Sequence, residues 1–345
     1  MKTDILSMTL TELTEYVTGL GYPKFRAKQI YEWMYRGADF SEMSNLPLAM
    51  REDIAEKAVI HVPKIAKKLV SSVDGTVKYL FELSDGNYIE SVLMRYKYGL
   101  TVCISSQVGC RMGCRFCAST IDGKVRDLLP SELLGQIIAA SRDAGERISH
   151  VVMMGIGEPL DNYGNVIKFL RLVNMQDGLG ISYRNISVST CGIVPKIEAL
   201  AEEDLPITLS ISLHAATDEK RSEIMPVNNA YGVAYLLSAC NSYFEKTGRR
   251  ISFEYTLIAG KNDSREEAER LAAVLKKYIS GPIHVNLSPL NPVTERDYKT
   301  VDRSYAEKFA QILCRKGVNA TVRRTLGPDI NASCGQLRRA SSKSN

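Results

Sequence analysis

From residue 100 onward the sequence alternates short β-forming runs with amphipathic helical segments, and no other feature constrains the fold as much. Strands are expected at 100–105, 149–154, 184–190, 207–212, 251–258, 283–288 and 319–323. Helices are expected between them, at 131–144, 165–174, 195–203, 233–246, 264–278 and 304–316. The clearest is 264–278, where Ala268, Leu271, Ala272 and Leu275 keep helical spacing and Asp263 and Glu266 stand ready to cap it. Successive strand–helix units give a parallel sheet with helices outside. Polar and small residues end nearly every strand, so residues 99–330 are expected to form a partial (β/α)6 TIM-like barrel with its site at the strand C-termini.

The remaining chain divides by rhythm. Residues 1–60 read as a small helical N-terminal domain: Thr9 and Glu12 form a capping box, and Pro23 and Gly37 bracket a second helix. Residues 61–98 read as a short β meander whose hairpins are marked by Asp74-Gly75 and Asp85-Gly86. Residues 331–345 form a polar, basic C-terminal segment. No run approaches the eighteen apolar residues of a membrane span. The first residues carry Asp4, Glu12 and Glu15 without an apolar core, so a cytoplasmic chain is expected. The net charge of +5 permits an anionic partner without requiring one.

Eight cysteines in such a chain point to metal ligation, nucleophilic chemistry or core packing rather than disulfides. Cys110, Cys114 and Cys117 follow a C-x3-C-x2-C spacing directly after an expected strand. Three thiolates on one loop can hold a [4Fe–4S] cluster with one iron left open. A structural zinc site is the alternative, although His61, His150, His214 and His284 form no spaced pair to complete one. Gly157-Glu158-Pro159 follows the next strand, where glycine allows close backbone approach and Glu158 can accept from an ammonium. Ser189, Ser212, Leu213, His214 and Asn291 sit at later strand ends. Cys334 stands alone near the C-terminus, and Cys103 lies seven residues before Cys110.

The cysteine spacing and the Gly-Glu turn resemble the radical S-adenosylmethionine superfamily over residues 100–325. The runs Cys103–Cys110, Gly157–Leu160, Ser212–His214 and Ala332–Leu337 resemble, nearly end to end, the RlmN/Cfr family of RNA methyltransferases. The resemblance implies two S-adenosylmethionine molecules per turnover and a [4Fe–4S] cluster on Cys110, Cys114 and Cys117. It implies that Gly157, Glu158, Ser189, Ser212, Leu213, His214 and Asn291 contact the cofactor, with Thr190 competing for the place of Ser189. It further implies that Cys334 carries the methyl group, that Glu90 accepts the proton, and that Cys103 releases product by forming a transient disulfide. The targets would be carbon 2 of adenine in 23S rRNA and in the tRNA anticodon loop. Pro159 favours carbon 2 over carbon 8, which the Cfr branch methylates.

Lys24, Arg26, Lys28 and Arg36 interleave with Tyr22, Phe25, Tyr31, Trp33 and Tyr35, either as an RNA-binding surface or as an ordinary amphipathic helix. Arg323, Arg324, Arg338 and Arg339 are candidate phosphate contacts. An electron donor such as flavodoxin or ferredoxin and a monomeric state are expected. Two other readings stay open: a non-catalytic, zinc-containing RNA-binding protein, and a radical enzyme acting on another substrate.

Overall fold

The computed structural model describes residues 2–336. The N-terminal segment holds β1 (Thr3–Asp4), α1 (Leu10–Gly19), α2 (Phe25–Tyr35), α3 (Leu48–Lys57) and β2 (Ala58–Val59). The capping box forms as expected: Glu12 N–H donates to Thr9 Oγ1 (3.1 Å), and Thr9 N–H donates to the Glu12 carboxylate (2.7 Å). The parallel β1–β2 pair ties the two ends of the segment together. Two-residue strands carry no alternation, so the sequence does not show them.

Next come β3 (Lys64–Val70), β4 (Val77–Glu82) and β5 (Tyr88–Tyr96). Their turns use one left-handed residue each, Gly75 (φ +72°) and Gly86 (φ +77°), while the preceding aspartates stay out of that region. The rest is β6 (Gly99–Cys103), β7 (Gln107–Gly109), β8 (Lys124–Asp127), α4 (Pro130–Ala144), β9 (Ile148–Met153), α5 (Tyr163–Asn174), β10 (Ile186–Thr190), α6 (Val194–Leu200), β11 (Thr208–Ser212), α7 (Asp218–Ile224), α8 (Val233–Thr247), β12 (Ile251–Leu257), α9 (Arg265–Tyr278), β13 (His284–Pro289), α10 (Arg303–Arg315) and β14 (Asn319–Val322).

One ten-stranded sheet organises the molecule, in the order β14-β13-β12-β11-β10-β9-β6-β5-β4-β3. The strands β6 and β9 to β14 run parallel. The meander is continuous with them, because β5 pairs antiparallel with β6. Every expected strand after residue 100 is present, and the partial barrel forms. The cap of α9 differs from expectation. Ser264 accepts from Glu267 N–H (3.3 Å), whereas Asp263 accepts from Gly260 N–H (3.0 Å). The β7–β8 hairpin and α7 were not expected: three-, four- and seven-residue elements are too short to show a period.

Strand alternation separates core from site. Ile186, Val188, Leu209, Ile211, Phe253, Tyr255, Val285 and Leu287 join the main apolar core. Their neighbours in sequence, Ser189, Ser212, Glu254, Thr256 and Ser288, line the barrel interior. After β14 the chain crosses to the meander and bridges the open side of the barrel. Gly327 N–H donates to Asp74 (3.0 Å), Ser71 Oγ to Asp329 (2.6 Å), and Lys78 Nζ to the Asn331 carbonyl (3.2 Å). Ala332 then packs with Val92, Met94 and Cys103. Leu337 to Asn345, with Arg338 and Arg339, lie outside the described residues. Among the described residues no helix is long and apolar enough to cross a membrane.

Candidate active site

The cysteine loop begins at a position that only glycine can fill. Gly109 has φ +75°, and a Cβ there would lie 1.8 Å from the Gly123 carbonyl oxygen. That carbonyl accepts from Cys110 N–H (3.1 Å) and closes the hairpin beneath the loop. Above it, Thr120 Oγ1 lies 3.0 Å from the carbonyls of both Cys114 and Cys117. Arg115 N–H donates to Ile224 O (2.9 Å), which anchors the loop to the end of α7.

Cys110, Cys114 and Cys117 line one cavity at the strand C-termini, about 1000 Å³ of empty space with its mouth included. Desolvation pushes the Cys110 thiol up to about 12 and raises Cys114 and Cys117, and the charge of a neighbouring thiol adds to each. Three thiolates gathered there need a cationic partner. Among the described residues no three His, Cys, Asp or Glu side chains close round a single metal ion. A loop offering three thiols to a shared space of this size fits a polynuclear iron–sulfur centre.

The Gly157-Glu158 turn lies against this loop. Gly157 has φ +105°, and a Cβ would fall 2.6 Å from Gln107 Cβ. Gln107 Oε1 accepts from Glu158 N–H (2.9 Å), and its Nε2 donates to Asp127 and Asp161. Arg111 and Lys124 pair with Asp161, holding its carboxyl down at about 2 against the cost of burial. The Glu158 carboxylate accepts from Leu160 N–H (3.0 Å) and Cys191 N–H (2.7 Å), while desolvation raises its pKa. It is a buried acceptor facing the cavity, suited to an ammonium group.

Of the other expected cofactor contacts, Ser189, Ser212, His214 and Asn291 line the cavity, and so does Thr190. His214 Nδ1 accepts from Thr256 N–H (2.9 Å), which leaves Nε2 as the protonated nitrogen. Desolvation, with a smaller contribution from Arg221, lowers His214 to about 3 and keeps it neutral. Leu213 is not among the lining residues. Its side chain joins the main core, and its carbonyl accepts from Arg221 Nε (3.0 Å).

Cys334 hangs over the cavity from the C-terminal segment. Asn291 Nδ2 donates to its carbonyl (2.9 Å), and Ala118 N–H donates to Gly335 O (2.8 Å). Cys103 is buried beneath that segment, outside the cavity lining. Desolvation and then the charge of Cys334 push its thiol up to about 12, opposed by Arg323. Glu90 also lies outside the lining. It is buried on β5, on the face that two-residue alternation shares with Val92 and Met94, and pairs with Lys78 (2.8 Å).

Three residues take roles that sequence reasoning missed or misread. Arg323 turns inward, with Nη1 3.4 Å from Met154 Sδ and 3.9 Å from Glu254, while Arg324 stays exposed. Glu254, alternating with core residues on β12, carried a legible signal in that polar position. Arg221 is fully buried and comes from the unexpected α7. In the N-terminal segment, Tyr31 and Tyr35 pair in the packed interior (4.7 Å between centroids), Trp33 donates to Asn45 (2.7 Å), and Phe25 is exposed.

Comparison with known proteins agrees with this geometry. Residues 104–272 match the family profile described as the radical SAM superfamily, and residues 3–60 that of the ribosomal RNA large subunit methyltransferase N-terminal domain. A relative from Lachnoclostridium phytofermentans, named a probable dual-specificity RNA methyltransferase RlmN, is 52% identical over 98% of this chain and 95% of its own. A relative of the same name from Clostridium perfringens is 50% identical over 99% and 98%. The crystal structure of a radical SAM methyltransferase from Sphaerobacter thermophilus superposes with a TM-score of 0.92 at 41% identity, covering 97% of this chain and 99% of that one. The chain therefore belongs to the RlmN family of radical S-adenosylmethionine RNA methyltransferases, enzymes that use a [4Fe–4S] cluster and S-adenosylmethionine.

Proposed function

We propose that this chain methylates carbon 2 of adenine in 23S rRNA and in the anticodon loop of tRNA, with Cys334 carrying the methyl group. One observation supports this above the others: a single cavity is lined by Cys110, Cys114, Cys117, the Gly157-Glu158 turn and Cys334. When bound, the cluster and S-adenosylmethionine supply the reactivity needed at a carbon that is not nucleophilic. Cys110, Cys114 and Cys117 hold the cluster. Glu158, with Gly157 and the strand-end residues Ser189, Ser212, His214 and Asn291, orients the cofactor; Leu213 contributes by packing the strand end beneath it.

Cys334 accepts a methyl group on sulfur by displacement, a thiolate's ordinary chemistry, and presents that carbon to the adenine. Glu90 takes the proton that leaves carbon 2. Cys103 attacks the Cys334 sulfur: the Cys103–Cys334 bond forms as the bond from Cys334 to the transferred carbon breaks, and that carbon keeps the electron pair and takes up a proton to become the methyl of the product. A dithiol reductant then restores both thiols. The packing of Ala332 beside Cys103 and the electrostatic influence of Cys334 on the Cys103 thiol support this pairing. Lys78, bound to both Glu90 and the Asn331 carbonyl, couples the acceptor to the segment carrying Cys334.

Lys24, Lys28, Arg36 and Arg324 are exposed cations suited to phosphate contact. The adenine must leave its stack to reach the barrel, which favours looped RNA. We infer a monomer in the cytoplasm, reduced by a flavodoxin or ferredoxin. The test is nucleoside mass spectrometry after anaerobic reaction with rRNA and tRNA fragments. The reading requires 2-methyladenosine; 8-methyladenosine, or no methylation by an iron-loaded chain, overturns it.

A further inference from the structure

Arg221 is the most deeply buried cation of the molecule's site region, with none of its surface exposed. All five of its N–H donors are used, and every acceptor is neutral. Nε donates to Leu213 O (3.0 Å), Nη1 to Asn228 Oδ1 (3.0 Å) and Tyr231 O (3.4 Å), and Nη2 to Cys191 O (2.6 Å) and Ser212 O (3.1 Å). Arg221 appears in none of the ion pairs among the described residues. Guanidinium does not give up its proton in a protein, so a full positive charge sits in the interior without a carboxylate against it. Such a charge is costly to bury unless an anion compensates it.

Its location indicates the anion. Nη2 holds the carbonyl of Cys191, a residue that lines the cavity beside Cys114 and packs with it. The far end of the same helix, Ile224, accepts from the cysteine loop through Arg115 N–H (2.9 Å). With no donor left over, Arg221 cannot hydrogen-bond a ligand, and it acts through its charge and by holding the strand ends. A [4Fe–4S] centre with three thiolates carries net negative charge, which grows by one when it is reduced.

We propose that Arg221 is a positioning residue and the fixed counter-charge of the metal centre: it locks the ends of β10 and β11 against the cysteine loop and favours the reduced cluster. The inference rests on the reading of the three thiols as cluster ligands. The chemistry is a one-electron couple, with the electron supplied by dithionite through mediators.

The test uses the full chain, reconstituted anaerobically, with iron and sulfide content measured and the reduced cluster followed by electron paramagnetic resonance during a redox titration. In Arg221→Gln, the reduced-to-oxidised ratio at the wild-type midpoint falls about tenfold, a shift of about 59 mV for one electron. Arg221→Lys, which keeps the charge but loses the fork, stays within about twofold by the same relation. A fully loaded Arg221→Gln chain with the wild-type midpoint overturns the inference and leaves the cluster reading standing. If Arg221→Gln does not fold, Arg221→Lys decides, because a buried ammonium can lose the proton that guanidinium keeps: a midpoint that falls with rising pH in Arg221→Lys but not in the wild type supports the inference, and one that is flat in both overturns it. A wild-type chain that takes up no iron and sulfide overturns the cluster reading, and this inference with it.

Discussion

The two glycines that face each other across the base of the cysteine loop differ in a way that can be measured. Gly109 and Gly123 both have positive φ, +75° and +64°. A Cβ at Gly123 meets nothing within 4 Å, whereas one at Gly109 falls 1.8 Å from the Gly123 carbonyl oxygen. Gly123→Ala therefore incurs only the left-handed backbone cost, about 1–2 kcal/mol. Gly109→Ala incurs that cost and must also push the hairpin apart, breaking the Cys110 N–H to Gly123 O bond of 3.1 Å. That loss adds about 1 kcal/mol, before any displacement of Cys110 from its partners. The combined cost of about 2–3 kcal/mol corresponds to about thirty- to a hundredfold in an equilibrium constant. The assay is iron retention by the reconstituted chain against a chelator under anaerobic conditions. Gly109→Ala should release iron about thirty- to a hundredfold more readily and Gly123→Ala about five- to thirtyfold, with Gly109→Ala the worse of the two. Equal retention by the two variants, or a worse defect at Gly123, would refute the claim that the hairpin base sets the geometry of the three thiols.

Other outcomes follow from the same structure. His214 is held neutral at about 3, while an unfolded histidine protonates near 6.5, so the unfolded state binds the extra proton between those values. Stability is thus lost as pH falls below about 6.5. His214→Asn, which suits the positive φ of +56° and can still accept from Thr256 N–H, should flatten that part of a melting-temperature profile; an unchanged slope would count against it. Cys103→Ala should leave RNA covalently attached to Cys334, seen as a shifted band on a denaturing gel, and free methylated product at the wild-type rate would exclude Cys103 as the resolving thiol. RNA affinity should fall steeply with salt, since phosphate contacts release counterions; a flat response between low and moderate salt would remove the basic residues from the interface.

Much of the barrel was legible because each parallel strand alternates. Ser189, Ser212 and Ser288 interrupt apolar runs at the positions that face the interior, and the same period that marks a strand marks the site. The three cysteines and the Gly157-Glu158 turn were legible because their spacing itself serves the chemistry. What stayed hidden depends on distance in sequence. Arg221 reads as one charge in the polar run Asp218–Glu223, and only the fold shows it wholly buried. Arg323 and Arg324 are adjacent and alike in sequence, yet just past the end of β14 one reaches toward Glu254 and the other is exposed. The aromatic and basic residues of 22–36 read in sequence either as an RNA-binding surface or as an ordinary amphipathic helix. Packing divides them, with Tyr31 interior and Phe25, Lys24 and Lys28 outside. The contact of the C-terminal segment with the meander joins residues some 250 positions apart, as between Ser71 and Asp329, and no local pattern announces it.

Whether Cys334 is the carrier can be tested by a chase of label. The chain is first methylated with carbon-13 methyl cofactor, freed of excess, and given unlabelled cofactor, reductant and RNA for one turnover. The account predicts that the labelled carbon leaves the Cys334 peptide and appears, one for one, on carbon 2 of adenine. Label that stays on Cys334 while an unlabelled methyl reaches the RNA would contradict it.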